Sequence, residues 1–563
     1  MQAWFTDEAH ATGLTFVHEN GMTGHRYIAE IMAPGVALFD FDNDGDLDVY
    51  VVQGQRLGAA GADAAGESVS SGSRPRGDRL FRNDLRIGAD GRPLLHFTDV
   101  TQQAGIDLQT YGMGVAAGDI DNDGWTDLLV TRLSGTVLLR NNGNATFSDV
   151  TAKAGLTSST WSVTASFFDV DRDGWLDLYV GNYIRYSTES DVGCFALTGA
   201  PDYCRPQNFA TVPGRLYRNQ RNGTFADVTV TAGVSREFGP ALGSIAFDAN
   251  GDGWPDLYVA NDGSDNQLWM NRKNGTFENR AVVAGVAVNG AGKAEGSMGV
   301  DAADYDGDGD EDLVITNLTG EGMTIYANDG AGLFTDVAAM AGLRSATLRY
   351  TGFGASWIDV DNDGALDVLT VNGAVQAIQT LARAGDHFPL KQQKQLFRNT
   401  RDRRFADVTS QAGEVFQVAE VSRGAAFGDI DNDGDTDVVV ANNNGPLRLL
   451  INHRGNRASW LGVRVTGPGG RDMPGAKITL LRQDGTGPMR HAHSDGSYAS
   501  ANDPRVLFGL GEAKDFIRIR VQWPDGRVEE WPLDGVNRWV TLKQGSGRVE
   551  LIRGTRRSTK DEL

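Results

Sequence analysis

The 563-residue chain reads as all-β: a seven-bladed β-propeller closed by its N-terminal strand, then a small C-terminal β-sandwich. Three observations predict this. A nine-residue aspartate motif occurs seven times, each copy carries the same flanking strands, and the last copy lacks a strand that the N-terminus can supply.

The motif first appears as DFDNDGDLD from Asp40. It returns as DIDNDGWTD from Asp119, DVDRDGWLD from Asp169, DANGDGWPD from Asp248, DYDGDGDED from Asp304, DVDNDGALD from Asp359 and DIDNDGDTD from Asp429. The starts lie 79, 50, 79, 56, 55 and 70 residues apart, so the unit is about 50 residues with insertions in some copies. A small-residue-rich apolar strand precedes each loop (GVAAGDI, GAAFGDI), and a β-branched run follows it (LDVYVVQG, TDLLVTR, TDVVVANN). A third strand ends in Asn (RLFRND, RLYRNQ, QLFRNT), and a fourth reads FTDVTQQAGI, FSDVTAKAGL, FADVTVTAGV or FADVTSQAGE. Four short strands per unit, bounded by Gly, Asn and Asp turns, describe a propeller blade.

The seventh copy runs through PLRLLINHRGNRASW with no fourth strand after it, while the chain begins with FTDEAHATGL at residues 5–14. The N-terminus therefore completes the last blade and removes the open edges of the ring. The propeller is expected over residues 1–455. Residues 456–552 alternate as further strands (WLGVRVTG, AKITLLR, FIRIRVQWP, GRVEEWPL, RWVTLKQ) and predict the sandwich. Residues 553–563 form a charged tail ending in KDEL, an ER-retrieval address in some contexts and otherwise a solvated tail.

The motif D-x-D-x-D-G-x-x-D gathers hard oxygen ligands at calcium-loop spacing, with glycine at position 6 allowing the turn. The predicted ligands are Asp40, Asp42, Asp44 and Asp48, with Asp46 offering its backbone carbonyl. The other loops contribute Asp119, Asp121, Asp123 and Asp127; Asp169, Asp171, Asp173 and Asp177; Asp248, Asn250, Asp252 and Asp256; Asp304, Asp306, Asp308 and Asp312; Asp359, Asp361, Asp363 and Asp367; and Asp429, Asp431, Asp433 and Asp437. Without a cation such carboxylates repel one another. About seven Ca2+ ions, mainly structural, are expected, and they would move the formal net charge from −22 to −8. The fourth site should be weakest, because Asn250 replaces a carboxylate. The alternative is a set of Asp-rich turns without metal.

On these residues the blades resemble FG-GAP/VCBS repeats, which build the integrin α-chain propeller. The stretches WLGVRVTGPGGRDMPGAKITLL (460–481), SDGSYAS and LFGLGEAKDFIRIRVQWPDGRVEEW (507–531) resemble the ASPIC/UnbV domain. The whole chain is similar to the cartilage acidic protein family, and its opening FTDEAHATGLTFVHENG and AEIMAPGVALFDFDNDGD share that likeness. The resemblance implies a calcium-binding, secreted or periplasmic propeller and gives no activity. The start MQAWFTDEAHATG has neither a basic n-region nor an apolar h-region, so a cytoplasmic location is the expectation for the chain as it stands.

The acidic balance, with pI near 4.8, excludes nucleic acid and anionic membrane surfaces as partners, and no apolar run is long enough to span a bilayer. A monomer is expected. Cys194 and Cys204 are disulfide candidates, with a reduced pair as the competitor.

Two classes of function follow. One is a binding propeller holding a small molecule, glycan or protein at its funnel or loop face. That face is shaped by insertions at 54–78 (a flexible flap), 182–213 and 373–395 (partly helical). The other is a calcium-dependent biosynthetic enzyme, an acid–base cyclase, isomerase or lyase acting on a small apolar molecule in the funnel. Its candidate catalytic residues are His18, Glu19 and Glu30, with His387, Asp386 and Tyr203 in the insertions. Each histidine has a plainer reading: His18 as a structural hydrogen-bonding group, His387 as a surface residue, His491 and His493 as an exposed hairpin. No nucleophile elbow, P-loop, dinucleotide fingerprint or HExxH motif supports hydrolase, kinase or redox chemistry.

Overall fold

The computed structural model describes residues 3–57, 77–89, 91–196 and 198–549. Most of the 54–78 insertion and the whole 553–563 tail lie outside the described residues.

The fold is all-β and propeller-like. Among the described residues, seven four-stranded antiparallel sheets each hold one aspartate loop between their first and second strands. The first sheet is Val36–Phe39, Asp48–Val51, Arg79–Asn83 and Phe97–Asp99, and the second is Gly112–Gly118, Asp127–Arg132, Gly135–Asn141 and Phe147–Asp149. The seventh combines Ser422–Gly428, Asp437–Asn442 and Arg448–Asn452 with the N-terminal strand Phe5–Asp7. Phe5 faces Asn452, the register in which Phe97 faces Asn83 and Phe147 faces Asn141. A partly buried ion network fastens this strand: Arg448 bridges Asp7 and Glu420 at 2.7 Å each, and Lys394, fully buried, meets Glu420 at 2.7 Å.

First strands pack on first strands around the molecule, and Ser422–Gly428 returns to Val36–Phe39. Their small residues (GMGVAAG, ALGSIAF, SRGAAFG) let neighbouring backbones approach closely at the centre. The Asn ending each third strand works between sheets. Its Nδ2 donates to the carbonyl at position 2 of the preceding sheet's loop: Asn141 to Phe41 (2.8 Å), Asn219 to Ile120 (2.8 Å), Asn271 to Val170 (2.8 Å) and Asn328 to Ala249 (3.0 Å). The series continues with Asn399 to Tyr305 (3.2 Å) and Asn452 to Val360 (2.9 Å), and Asn83 to Ile430 (3.1 Å) returns it to the seventh sheet.

The C-terminal region forms a three-stranded sheet (Val506–Gly511, Ser459–Thr466, Trp539–Lys543) and a five-stranded one (Met489–His491, Lys477–Arg482, Phe516–Gln522, Val528–Pro532, Arg548–Val549). Leu461, Val463, Ile478, Phe508, Val521 and Trp523 fill the core between them. This unit sits on the aspartate-loop side, where Arg464 lies 3.6 Å from Asp40 and the Trp539 indole donates to Asp429 at 3.0 Å.

Its segment 494–503 threads the centre of the ring. Ser494 Oγ donates to the carbonyl of Ala117, Ser497 Oγ to that of Ala425, and the Ala499 carbonyl accepts from Val115 N–H at 3.0 Å. Asp495 Oδ2 accepts from Ala246 N–H, and Asn502 Oδ1 from Phe427 N–H. Tyr498, fully buried, packs edge-on to Phe353 at 4.7 Å and donates to the carbonyl of Met32 at 2.9 Å. The sequence points to an open funnel; here the channel is filled by the protein itself.

Candidate functional sites

The seven loops share one backbone construction. Position 4 is left-handed in all of them (Asn43, Asn122, Arg172, Gly251, Gly307, Asn362 and Asn432), as is the glycine at position 6, with φ between 82° and 100°. This winding turns amides inward: the position-1 carboxylate accepts from N–H groups of positions 5 and 6, as Asp119 does from Asp123 (3.2 Å) and Gly124 (2.8 Å). The position-9 carboxylate is held on both oxygens, by the position-2 N–H and by the N–H of the third-strand Asn. Asp177, for example, accepts from Val170 (3.0 Å) and Asn219 (2.7 Å).

Position 3 differs. The Oδ1 atoms of Asp42, Asp121, Asp171, Asp306 and Asp361 are buried and receive no hydrogen bond among the described residues. Carboxylate oxygens of Asp40, Asp42 and Asp48 lie within 4.8 Å of one another, as do those of Asp119, Asp121 and Asp127; Asp169, Asp171 and Asp177; Asp304, Asp306 and Asp308; and Asp359, Asp361 and Asp367. Burial and then neighbouring carboxylates raise these groups: Asp40, Asp119, Asp169 and Asp304 to about 6, Asp359 and Asp429 to about 7. Orphaned oxygens converging from a wound loop suit a hard cation. Asp46 occupies a different place from a cage carboxylate, since its side chain accepts from Asn432 Nδ2 at 2.8 Å across to the seventh loop. In the fourth loop Asn250 Oδ1 accepts from Asp252 N–H at 3.1 Å. Lys477 Nζ stands 3.5 Å from Asp248 and 3.0 Å from Glu311, so an ammonium already offsets carboxylate charge beside the loop that has one carboxylate fewer.

The opposite face carries the 182–213 and 373–395 insertions and a cavity of about 930 Å³. Its walls come from the 3-10 turn Ile28–Ile31, residues 204–208 of one insertion, residues 374–378 of another, and the ends of second strands. The residue after each second strand decides what this face presents. Val52, Leu133, Tyr183, Asp262, Thr316, Gly373 and Asn443 follow the seven second strands, each N–H donating to the residue just before its own sheet's first strand. Tyr183 and Asp262 occur at this position in adjacent sheets, and the Tyr183 hydroxyl donates to Asp262 Oδ2 at 2.7 Å. Burial raises the Asp262 carboxyl to about 6. No repeat signature flagged either residue; a comparison of blades at this one position would have found the single acid.

The earlier catalytic candidates take other places. His18 is fully buried, its Nδ1 accepts from Asn444 N–H at 3.1 Å, and burial with the nearby Arg423 cation lowers it to about 3. Glu19 is exposed. Glu30 is buried and raised by desolvation, accepting from Thr23 N–H (3.1 Å) and the Tyr203 hydroxyl (3.2 Å). None of the three lines the cavity. His387 is exposed, and Asp386 pairs with Lys391 at 3.0 Å. His491 and His493 are not an exposed hairpin. They stack at 5.1 Å under the C-terminal unit, His491 3.1 Å from Glu311 and His493 3.3 Å from Asp495, which with Asp301 raises His493 to about 9 against its burial. The Cys194 and Cys204 sulfurs are joined at 2.06 Å in the insertion beside the cavity.

Wound aspartate loops in a ring of four-stranded sheets, with a β unit docked over them, define a class: this is an FG-GAP-repeat protein with a C-terminal ASPIC/UnbV domain. The FG-GAP-like repeat family matches residues 119–180, 248–315 and 304–370, and the ASPIC and UnbV family matches 467–549. The chain is homologous to cartilage acidic protein 1. It is 26% identical to the mouse protein over 340 residues, covering 58% of this chain and 47% of that one, and 26% identical to the human protein over 316 residues, covering 54% and 43%. The chain thus spans about half the length of these curated relatives. Among solved structures, an Agrocybe aegerita lectin described as recognising non-reducing terminal N-acetylglucosamine overlaps with TM-score 0.37 and 18% identity, covering 67% of this chain and 88% of that one.

Proposed function

We propose that the chain is a calcium-stabilised, seven-bladed propeller, closed by its N-terminal strand, that binds a small molecule in the loop-face cavity. The observation that carries this reading is the cavity itself, about 930 Å³ and built where the blades differ rather than where they repeat. The aspartate loops serve the scaffold: they lie on the side covered by the C-terminal unit, and the buried oxygens of position 3 would hold one cation per fitting loop. The plug at 494–503 removes the funnel as a ligand site. The Cys194–Cys204 bond favours an oxidising compartment, in keeping with a secreted or periplasmic protein.

A second reading has one observation behind it. Asp262 Oδ2 is tied to Tyr183, Oδ1 accepts no hydrogen bond among the described residues, and burial raises the carboxyl to about 6, so a bound molecule could exchange a proton with it. This is the place for the acid–base cyclase, isomerase or lyase alternative, with Asp262 replacing His18, Glu19 and Glu30.

The test is a thermal-shift ligand screen run in parallel on the wild type and Leu318→Trp, which places an indole in the cavity. Compounds that raise the wild-type Tm are expected to leave the variant unmoved. Equal shifts in both proteins would place the site elsewhere.

A further inference from the structure

We infer that the loop-face cavity takes an amphipathic oxyanion, a small molecule with an apolar body and a negatively charged oxygen-bearing end. This rests on the cavity being the ligand site and adds the chemistry of what enters it.

The mouth is cationic on a strongly anionic protein. Against a formal net charge of −22, Arg205, Lys293 and Arg349 reach the cavity from three separate segments, and all three side chains are exposed. They are not committed to holding the fold. Arg205 Nη2 donates to a neutral partner, Gln376 Oε1, at 3.2 Å, and Arg349 makes no ion pair among the described residues. Lys293 approaches Glu321 only to 3.7 Å with its side chain 69% exposed, a pair worth little in water. Three cations drawn from distant parts of the chain into one opening focus a positive potential there.

The two acids of the cavity are tied into its wall. Glu321 Oε2 accepts from the N–H groups of Gly296 (2.8 Å) and Leu318 (3.3 Å), and Asp262 Oδ2 holds the Tyr183 hydroxyl. Deeper in, the lining turns apolar: Ile28, Ile31 and Met32 are buried, and Leu318, Val375 and Ile378 pack against the same cluster. Burial separates the three cations, at the opening, from the apolar residues below, which share the buried wall with Asp262, Thr351 and Gln392. A ligand matching both buries its apolar body and leaves its anionic end among the three cations. A sugar would leave the apolar base unused, and an organic cation would meet three like charges.

The experiment is calorimetric titration of the full chain, in calcium, with decyl sulfate, decanol and decyltrimethylammonium below their micellar concentrations. Decyl sulfate is expected to bind at least about tenfold more tightly than decyltrimethylammonium, and to weaken as salt rises. The double variant Arg205→Glu, Arg349→Glu alters exposed side chains, so its Tm should hold while its decyl sulfate affinity falls about tenfold and decanol is unaffected. Leu318→Trp should abolish binding of both. If the three probes bind equally and Leu318→Trp removes them all, the anion inference is overturned while the cavity remains the site. If no probe binds, or Leu318→Trp changes nothing, the cavity reading fails and takes this inference with it.

Discussion

The ring of asparagines makes a prediction whose size can be worked from its contacts. Asn219 Nδ2 donates to Ile120 O at 2.8 Å in the preceding sheet's loop and to Leu176 O at 3.0 Å in its own, and its Oδ1 accepts from Arg221 N–H at 2.9 Å. Asn219→Ala removes all three bonds and leaves two carbonyls of buried residues without their donor. Each uncompensated buried group costs about 1–3 kcal/mol, and partial water entry argues for the lower end, so the sum is about 2–4 kcal/mol. For a chain of this size unfolding as one unit, the entropy of unfolding is roughly 1 kcal/mol/K, which converts the loss to a Tm drop of about 2–4 °C. Calorimetry in calcium measures it. Arg221→Ala, at an exposed side chain bonded to Asp173, is the control and should move Tm far less. The loss should also shrink in chelator, because Asn219 fixes the shapes of two loops that have then already relaxed. A drop under about 0.5 °C, or one matched by the Arg221 control, would refute the idea that these asparagines transmit loop geometry between blades.

Three further outcomes follow from the same construction. EGTA should lower Tm substantially and calcium, rather than magnesium, should restore it, since each site contributes about 2.7 kcal/mol at a hundredfold excess over its Kd; no shift and no metal by elemental analysis would exclude the cation cages. His493 is raised to about 9, so the stability it adds is fully present below its unfolded value of 6.5 and is lost as pH rises from 6.5 through 9; His493→Gln should flatten that limb of a denaturation-against-pH curve. His18 is lowered to about 3 and acts in the opposite sense, its contribution being present above 6.5 and lost as pH falls toward 3, so His18→Gln should lessen destabilisation in acid.

The scaffold was legible because every blade solves the same problem with the same residues, and seven repetitions make a pattern that local reading can find. The Asn that ends each third strand was visible too, but its purpose was not: the carbonyl that Asn219 meets lies 99 residues earlier, in another blade. The plug left a fainter trace. The first strands and the residues before them are rich in small residues, and several are small for a reason the sequence does not name. A Cβ on Gly35 would come within 1.8 Å of the Ala499 carbonyl, and one on Gly114 within 2.6 Å, because the 494–503 backbone passes there. SDGSYAS carries matching small side chains, but nothing in either stretch names the other as partner. His18, Glu19 and Glu30 drew attention as titratable groups between the N-terminal strand and the first loop. Burial beside Arg423 instead makes His18 a neutral structural residue, and a filled channel leaves no funnel for any of them to serve. Once the centre is closed and the aspartate face is covered, chemistry between protein and ligand has one large opening left among the cavities described. On the proposed reading the residues to test there are Tyr183 and Asp262, ordinary letters after two unremarkable strands, distinguished by standing where the other sheets place valine, leucine, threonine, glycine or asparagine.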